Sequence, residues 1–142
     1  MVPVYIFTGF IEAGKTTAAR ELILSMQQAD YKKTLLIVCE QGEEDYDCQE
    51  LEDIGVTIKY IENESDMEDD QVGYLVSEVR PERIIVEYNG MWNIDRPKVI
   101  WDPEQILEIM IIDTSSFDMY LSNLKVMIAD KIRSADLIIF GR

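Results

Sequence analysis

Short apolar runs recur along the chain at Val4–Phe7, Leu35–Cys39, Val56–Ile61, Arg83–Glu87, Leu107–Ile112 and Leu137–Phe140. Runs of this length, rich in branched residues, predict six strands. Hydrophobicity in Leu35–Cys39 and Arg83–Glu87 is continuous rather than alternating, the mark of strands covered on both faces in a parallel sheet. Between strands the period changes to 3.6. Ala18, Leu22 and Met26 follow the first strand, and Phe117, Tyr120, Leu121, Leu124, Met127, Ile128 and Ile132 follow the fifth, with Ser115 or Ser116 as N-cap. Leu75 and Val79 form a weaker stripe ending at Arg80-Pro81. Alternating strands and helices predict an α/β fold with a mostly parallel central sheet flanked by helices.

Three stretches break the pattern. Glu40–Asp53 and Asn63–Asp70 are poor in apolar residues and rich in charge, which predicts solvated loops, and Asn93–Pro103 reads as an irregular connection. No internal repeat is visible. With 142 residues and 47% hydrophobic content, the expectation is one domain with a single substantial core.

Charge narrows the chemistry. The chain carries 28 acidic against 13 basic residues, a net charge of −15, and residues 40–70 hold 14 carboxylates and one base, Lys59. Nucleic acid and membrane surfaces, which both call for a basic face, are expected to be excluded as partners. There is no histidine, so chemistry must come from Lys, Ser/Thr, carboxylates, Cys or backbone. Cys39 and Cys48, with no signal-peptide pattern before them, read as reduced thiols in a cytoplasmic protein. Cys39 is expected to be a small buried strand residue, and Met91 and Trp92 to anchor core rather than mark a partner surface.

Residues 9–16, Gly9-Phe10-Ile11-Glu12-Ala13-Gly14-Lys15-Thr16, match G-x-x-x-x-G-K-[ST] between the first strand and the first helical stripe, where a phosphate-binding loop belongs. Gly9 and Gly14 let backbone N–H groups turn toward phosphate oxygens. Lys15 supplies a point charge for the β- and γ-phosphates, Thr16 a hydroxyl for Mg²⁺, and the helix start its partial positive charge. The motif thus predicts a nucleoside triphosphate site on a three-layer P-loop NTPase fold. Glu87 and Asp113 end their strands at the edge where α/β sheets place ligands, and Glu40 leaves the second strand at that same edge. Each is a candidate carboxylate for Mg²⁺ or for the attacking water. Gly90 is a candidate hinge.

The run Val4-Tyr5-Ile6-Phe7-Thr8-Gly9-Phe10-Ile11-Glu12-Ala13-Gly14-Lys15-Thr16-Thr17 resembles the opening of the CobW/HypB/UreG family of P-loop GTPases, above all its CobW-like branch. Cys39–Asp47 is similar to that branch's switch segment at Glu40, Gly42, Glu43 and Asp47. Ile85–Gly90 is similar to its Walker-B-like element. Ile111–Thr114 and Ala135–Phe140 resemble its later strands. The resemblance implies Mg²⁺-dependent binding and hydrolysis of GTP or ATP, with GTP first, by a switch or metallochaperone-type domain, and turnover is expected to be slow because no arginine finger is evident in the sequence. On this reading Gly9, Glu12, Ala13, Gly14, Lys15, Thr16, Thr17 and Gly90 hold nucleotide. Thr16, Glu40, Glu87 and Asp113 serve the metal, and Lys15, Glu40 and Glu87 the chemistry. It leaves open a metal ion or metalloprotein client and a homodimer across the nucleotide.

Where the family reads Asn-Lys-x-Asp, the sequence reads Gly141-Arg142 and ends, and the Cys-x-Cys-Cys motif of many members is absent. The expectation is therefore one nucleotide-binding domain over 1–142, without base-recognition motif or C-terminal family domain, and guanine against adenine stays open. The competing expectation is a catalytically weak interaction module that binds nucleotide or a divalent cation through its acidic 40–70 segment. A small-molecule kinase ranks last, because Arg80, Arg83, Arg96 and Arg133 are scattered rather than gathered in a lid.

Overall fold

The structure is a computed structural model that describes residues 2–8, 15–39, 46–113 and 137–141, with side chains described at 2–8, 19–39 and 46–110. Its strands are β1 (Val4–Thr8), β2 (Thr34–Val38), β3 (Val56–Tyr60), β4 (Arg83–Glu87), β5 (Ile106–Asp113) and β6 (Leu137–Gly141). Helices are α1 (Lys15–Ala29), α2 (Cys48–Asp53), α3 (Asp69–Val79) and a single turn, α4 (Arg96–Ile100). The six strands form one sheet in the order β3-β2-β4-β1-β5-β6, with every neighbouring pair parallel. The expected fold class and strand positions are thus observed.

Period-two alternation divides the core between the two faces of the sheet. Leu35, Ile37, Ile84 and Val86 meet Val72, Leu75 and Val79 of α3 on one face, while Leu36, Val38 and Ile85 meet Ala19 and Ile23 of α1 and Leu51 of α2 on the other. Every residue of β2 and β4 is buried, as their unbroken hydrophobicity predicts. In α1 the face turned to the sheet lies one position beyond the expected stripe: Ala19, Ile23 and Gln27 are buried, and Leu22 and Met26 flank them half-buried.

Three expectations need correction. The charged stretch Glu40–Asp53 ends in helix, not loop: the Asp47 side chain caps α2 by accepting from the Glu50 amide at 3.1 Å, and Leu51 is fully buried. Within Asn63–Asp70, residues Glu64–Asp66 form a 3-10 turn that plants Met67 in the core. Within Asn93–Pro103, α4 starts on Arg96-Pro97, where proline's missing N–H costs nothing, and Trp101 packs into the α3-side core. In each case buried apolar side chains order the segment: Tyr46 and Leu51 in the first, Met67 in the second and Trp101 in the third. The expected helix over 117–132, with its Ser115 or Ser116 cap, lies outside the described residues.

Among the described residues, two left-handed positions set turns. Gly55 (φ +85°) links α2 to β3, where a Cβ would stand 2.7 Å from the Tyr31 ring carbon Cε1, and Arg80 (φ 52°) closes α3 just before Pro81.

Candidate functional site

The sheet order places β1 between β4 and β5. The chain leaves β1 toward β2 on one side and crosses from β4 to β5 on the other, so its connections diverge at the carboxyl end of β1, the place where open α/β sheets bind ligands. The 9–16 run occupies that connection in the sequence. Lys15, Thr16 and Thr17 open α1, so their backbone stands at the helix N-terminus. Gly9, Glu12, Ala13, Gly14 and Glu40, and the side chains of Lys15, Thr16, Thr17 and Asp113, lie outside the described residues.

Glu87 is the described carboxylate that reaches this edge from β4. It pairs in register with Phe7 of β1 and Val38 of β2, and its backbone is held from both sides. The Cys39 amide donates to the Glu87 carbonyl at 2.9 Å, and the Tyr88 amide to the Phe7 carbonyl at 2.8 Å. Shared parity with Ile85 turns the Glu87 side chain toward the α1–α2 face. Only 1% of it is exposed, so the expectation of a carboxylate at the strand end holds, but it does not simply reach solvent. Asp113 is the last residue of β5, three positions past Met110, the register partner of Thr8.

A residue absent from the sequence reading completes the arrangement. Tyr46, 7% exposed, donates its hydroxyl to Glu87 Oε2 at 2.5 Å, in the range of a charge-assisted O–H···O⁻ bond. Burial first, and then the negative charge of Glu87, push ionisation of this phenol well above its ordinary value, so it remains a donor. An aromatic residue standing alone among carboxylates, just ahead of Asp47 with Glu50 three residues on, is the only signal that marked it: a capping pattern there makes the preceding residue a helix anchor.

After Glu87 the chain turns at once. Asn89 Oδ1 accepts from the Met91 amide at 2.9 Å, and the Asn89 carbonyl from the Trp92 amide at 3.1 Å, with Gly90 buried inside the turn. Tyr88 donates to the Asn93 carbonyl at 2.5 Å, and Trp92 stands edge-on to its ring at 5.8 Å. Burial, and after it Cys39 and Glu64, push Tyr88 up as well. Trp92 therefore anchors core as expected, whereas Met91 is 56% exposed. Cys39 is buried and Cys48 exposed, and neither forms a disulfide.

A cleft of about 360 Å³ opens at the same edge, over the ends of β2 and β3, lined by Cys39, Tyr60, Glu62, Asn63 and Asn89 among others. Among the described residues no group of three or more His, Cys, Asp or Glu is placed to hold a metal ion. Mg²⁺, which takes one or two protein carboxylates and fills its shell with water and substrate phosphate, fits the hard oxygen donors of Glu87. The scattered arginines are engaged elsewhere: Arg83 with Gln27 and Asp30, and Arg96 with Glu64. Arg80 caps α3, and Arg133 lies outside the described residues. No described helix is long and apolar enough to cross a membrane.

Among solved structures the chain is similar to FlhF complexed with GMPPNP/Mg(2+), with a TM-score of 0.61 at 18% identity; the match covers 98% of this chain and 55% of that one. The likeness is one of fold. No curated protein matches the sequence. The family model that matches is CobW/HypB/UreG, nucleotide-binding domain, over residues 3–142. This chain belongs to the CobW/HypB/UreG family, as its nucleotide-binding domain.

Proposed function

We propose that the domain binds GTP with Mg²⁺ at the carboxyl edge of β1 and hydrolyses it slowly, as a switch or metallochaperone-type GTPase. The observation that carries this reading is the buried carboxylate of Glu87, held in register beside β1 next to the phosphate-loop sequence. FlhF, which shares the fold, was crystallised with GMPPNP and Mg²⁺, ligands of the kind proposed here. Lys15 and the amides of 9–14 hold the β- and γ-phosphates, with the N-terminus of α1 behind them. Thr16 and Glu87, with Glu40 and Asp113 as further carboxylates, would hold Mg²⁺, which when bound neutralises phosphate charge.

Glu87 or Glu40 accepts a hydrogen bond from the attacking water and aligns it with the γ-phosphorus, and Gly90 lets the 88–92 turn follow that phosphate. Catalysis is positioning and electrostatics, with no covalent intermediate. Turnover is slow because the described arginines are placed elsewhere: Arg20, Arg83 and Arg96 pair with Glu50, Asp30 and Glu64, and Arg80 closes α3 at the opposite edge of the sheet. A cytoplasmic location, a metal or metalloprotein client and pairing of two copies belong to the same proposal, on the strength of family membership.

Calorimetric titration with GTP, ATP and their diphosphates in Mg²⁺ tests the reading. GTP is expected to bind, and Lys15→Ala to weaken it at least tenfold. Triphosphate affinity that survives Lys15→Ala unchanged refutes the site.

A further inference from the structure

Resting on the function proposed above, we infer that Tyr46 is the positioning residue of the reaction: its hydroxyl fixes the Glu87 carboxylate in its working orientation. A carboxylate at a strand end has two soft torsions beyond Cβ and swings between rotamers unless something holds it. The phenol does so through the 2.5 Å bond to Oε2, made where both side chains are buried. It uses one of the roughly four acceptor sites of the carboxylate.

Holding the carboxylate requires that the phenol itself be fixed, and the sequence after Tyr46 supplies this. Asp47 caps α2, and Glu50, one turn on, accepts from Arg20 Nε and Nη2 of α1, both at 2.8 Å. The ring belongs to the same buried cluster as Leu51, Ala19 and Ile23. Tyr46 is thus anchored to the helix that opens at Lys15, and Glu87 to the strand beside β1. The hydrogen bond joins the two sides of the candidate nucleotide site. Tyr46 also directly follows the acidic run 40–45 in the sequence.

A purely structural tyrosine and a positioning tyrosine make different predictions. Tyr46→Phe keeps the ring and removes one oxygen. Steady-state GTP hydrolysis in Mg²⁺ is measured for wild type, Y46F, E87Q and the double variant, at 10 and 25 °C so that lost stability is not read as lost turnover. The neutral double variant leaves no charge without its donor, which keeps one comparison on folded protein. We expect kcat to fall about tenfold to a hundredfold in Y46F, with KM for GTP within threefold of wild type, because phosphate contacts do not involve Tyr46. In the E87Q background the same change is expected to alter kcat less than twofold, since the carboxylate it orients is gone.

Y46F with wild-type kcat, in a chain whose E87Q variant is impaired, overturns the role of Tyr46 and leaves the function standing. An equal loss in both backgrounds also overturns it, because the effect then runs through packing. A wild-type chain that hydrolyses no triphosphate overturns the function and this inference with it.

Discussion

Arg83 opens β4 with 4% of its surface exposed, a buried charge at the sheet edge opposite the candidate site. Its guanidinium donates to Gln27 Oε1 at 2.8 Å and to the Asp30 carbonyl at 3.1 Å, while Nε has no hydrogen-bond partner. Two bonds from a charged donor contribute about 3–6 kcal/mol together. The Asp30 carboxylate is 3.9 Å away but 70% exposed, which puts its attraction near the aqueous limit of about 1 kcal/mol. Against these stands the desolvation of the cation, several kcal/mol. The terms nearly cancel, so the charge adds little net stability and the aliphatic stem carries the site.

Arg83→Met keeps a stem of similar reach, and Gln27 Oε1 still accepts from the Lys32 amide at 3.2 Å. It is expected within about 1.5 kcal/mol of wild type. Arg83→Ala lacks three further heavy atoms, worth about 0.8 kcal/mol each, and is expected at least about 2 kcal/mol below Arg83→Met. Urea unfolding followed by the fluorescence of Trp92 and Trp101 measures both. Equal losses in the two variants would refute the reasoning, because the charge and its bonds would then hold the site. Triphosphate affinity serves as control: β4 separates Arg83 from Glu87 by about 13 Å, so binding should not change in either variant.

Leu51→Ala removes the fully buried residue of α2 and is expected to cost about 2–5 kcal/mol in urea unfolding; a loss below 0.5 kcal/mol would mean the helix does not pack as described. The exposed Lys59–Glu78 pair at 2.8 Å lowers the Glu78 carboxyl from its ordinary value of 4.5, chiefly through the hydrogen bond from Lys59. A depressed carboxyl stabilises above its unfolded value and loses that contribution as pH falls through the folded one. The urea midpoint of wild type should therefore drop more than that of Glu78→Gln between pH 5 and pH 3, and the gap should shrink in 1 M salt. Parallel curves would remove the pair from the stability of the domain.

The sheet was legible because strands such as Leu35–Cys39 and Arg83–Glu87 are buried on both faces and show it as unbroken apolar runs. The phosphate-loop pattern can be read in a sequence at all because its chemistry is local: eight consecutive residues carry the motif. Glu87 stood out as a carboxylate ending an apolar strand. Tyr46 did not, because its meaning arises only when the fold brings it against a residue 41 positions away. For α2, six residues with Leu51 as their one buried side chain are too few for a period to emerge. Only the Asp47–Glu50 capping pair announced the helix, and it lay hidden among other acids. In α1 the stripe was displaced by one position, because a buried Gln27 that bonds the Lys32 and Ile54 carbonyls takes a place that hydrophobicity alone gives to Met26.

The strand order has a consequence in time. β1 pairs with no strand near it in sequence: Val4 sits opposite Ile84 and Ile106. At translation rates of about 5–20 residues per second, the 80 positions to β4 take roughly 4–16 s to synthesise. Throughout that interval the strand leading into the phosphate loop has no edge to join. The β2–α2–β3 unit, closed within residues 34–60, can form first and offer β2 as the template on which β4 docks. The candidate nucleotide site is thus assembled late, by a strand that is synthesised before β2 and β4 but seated only after the sheet beside it exists.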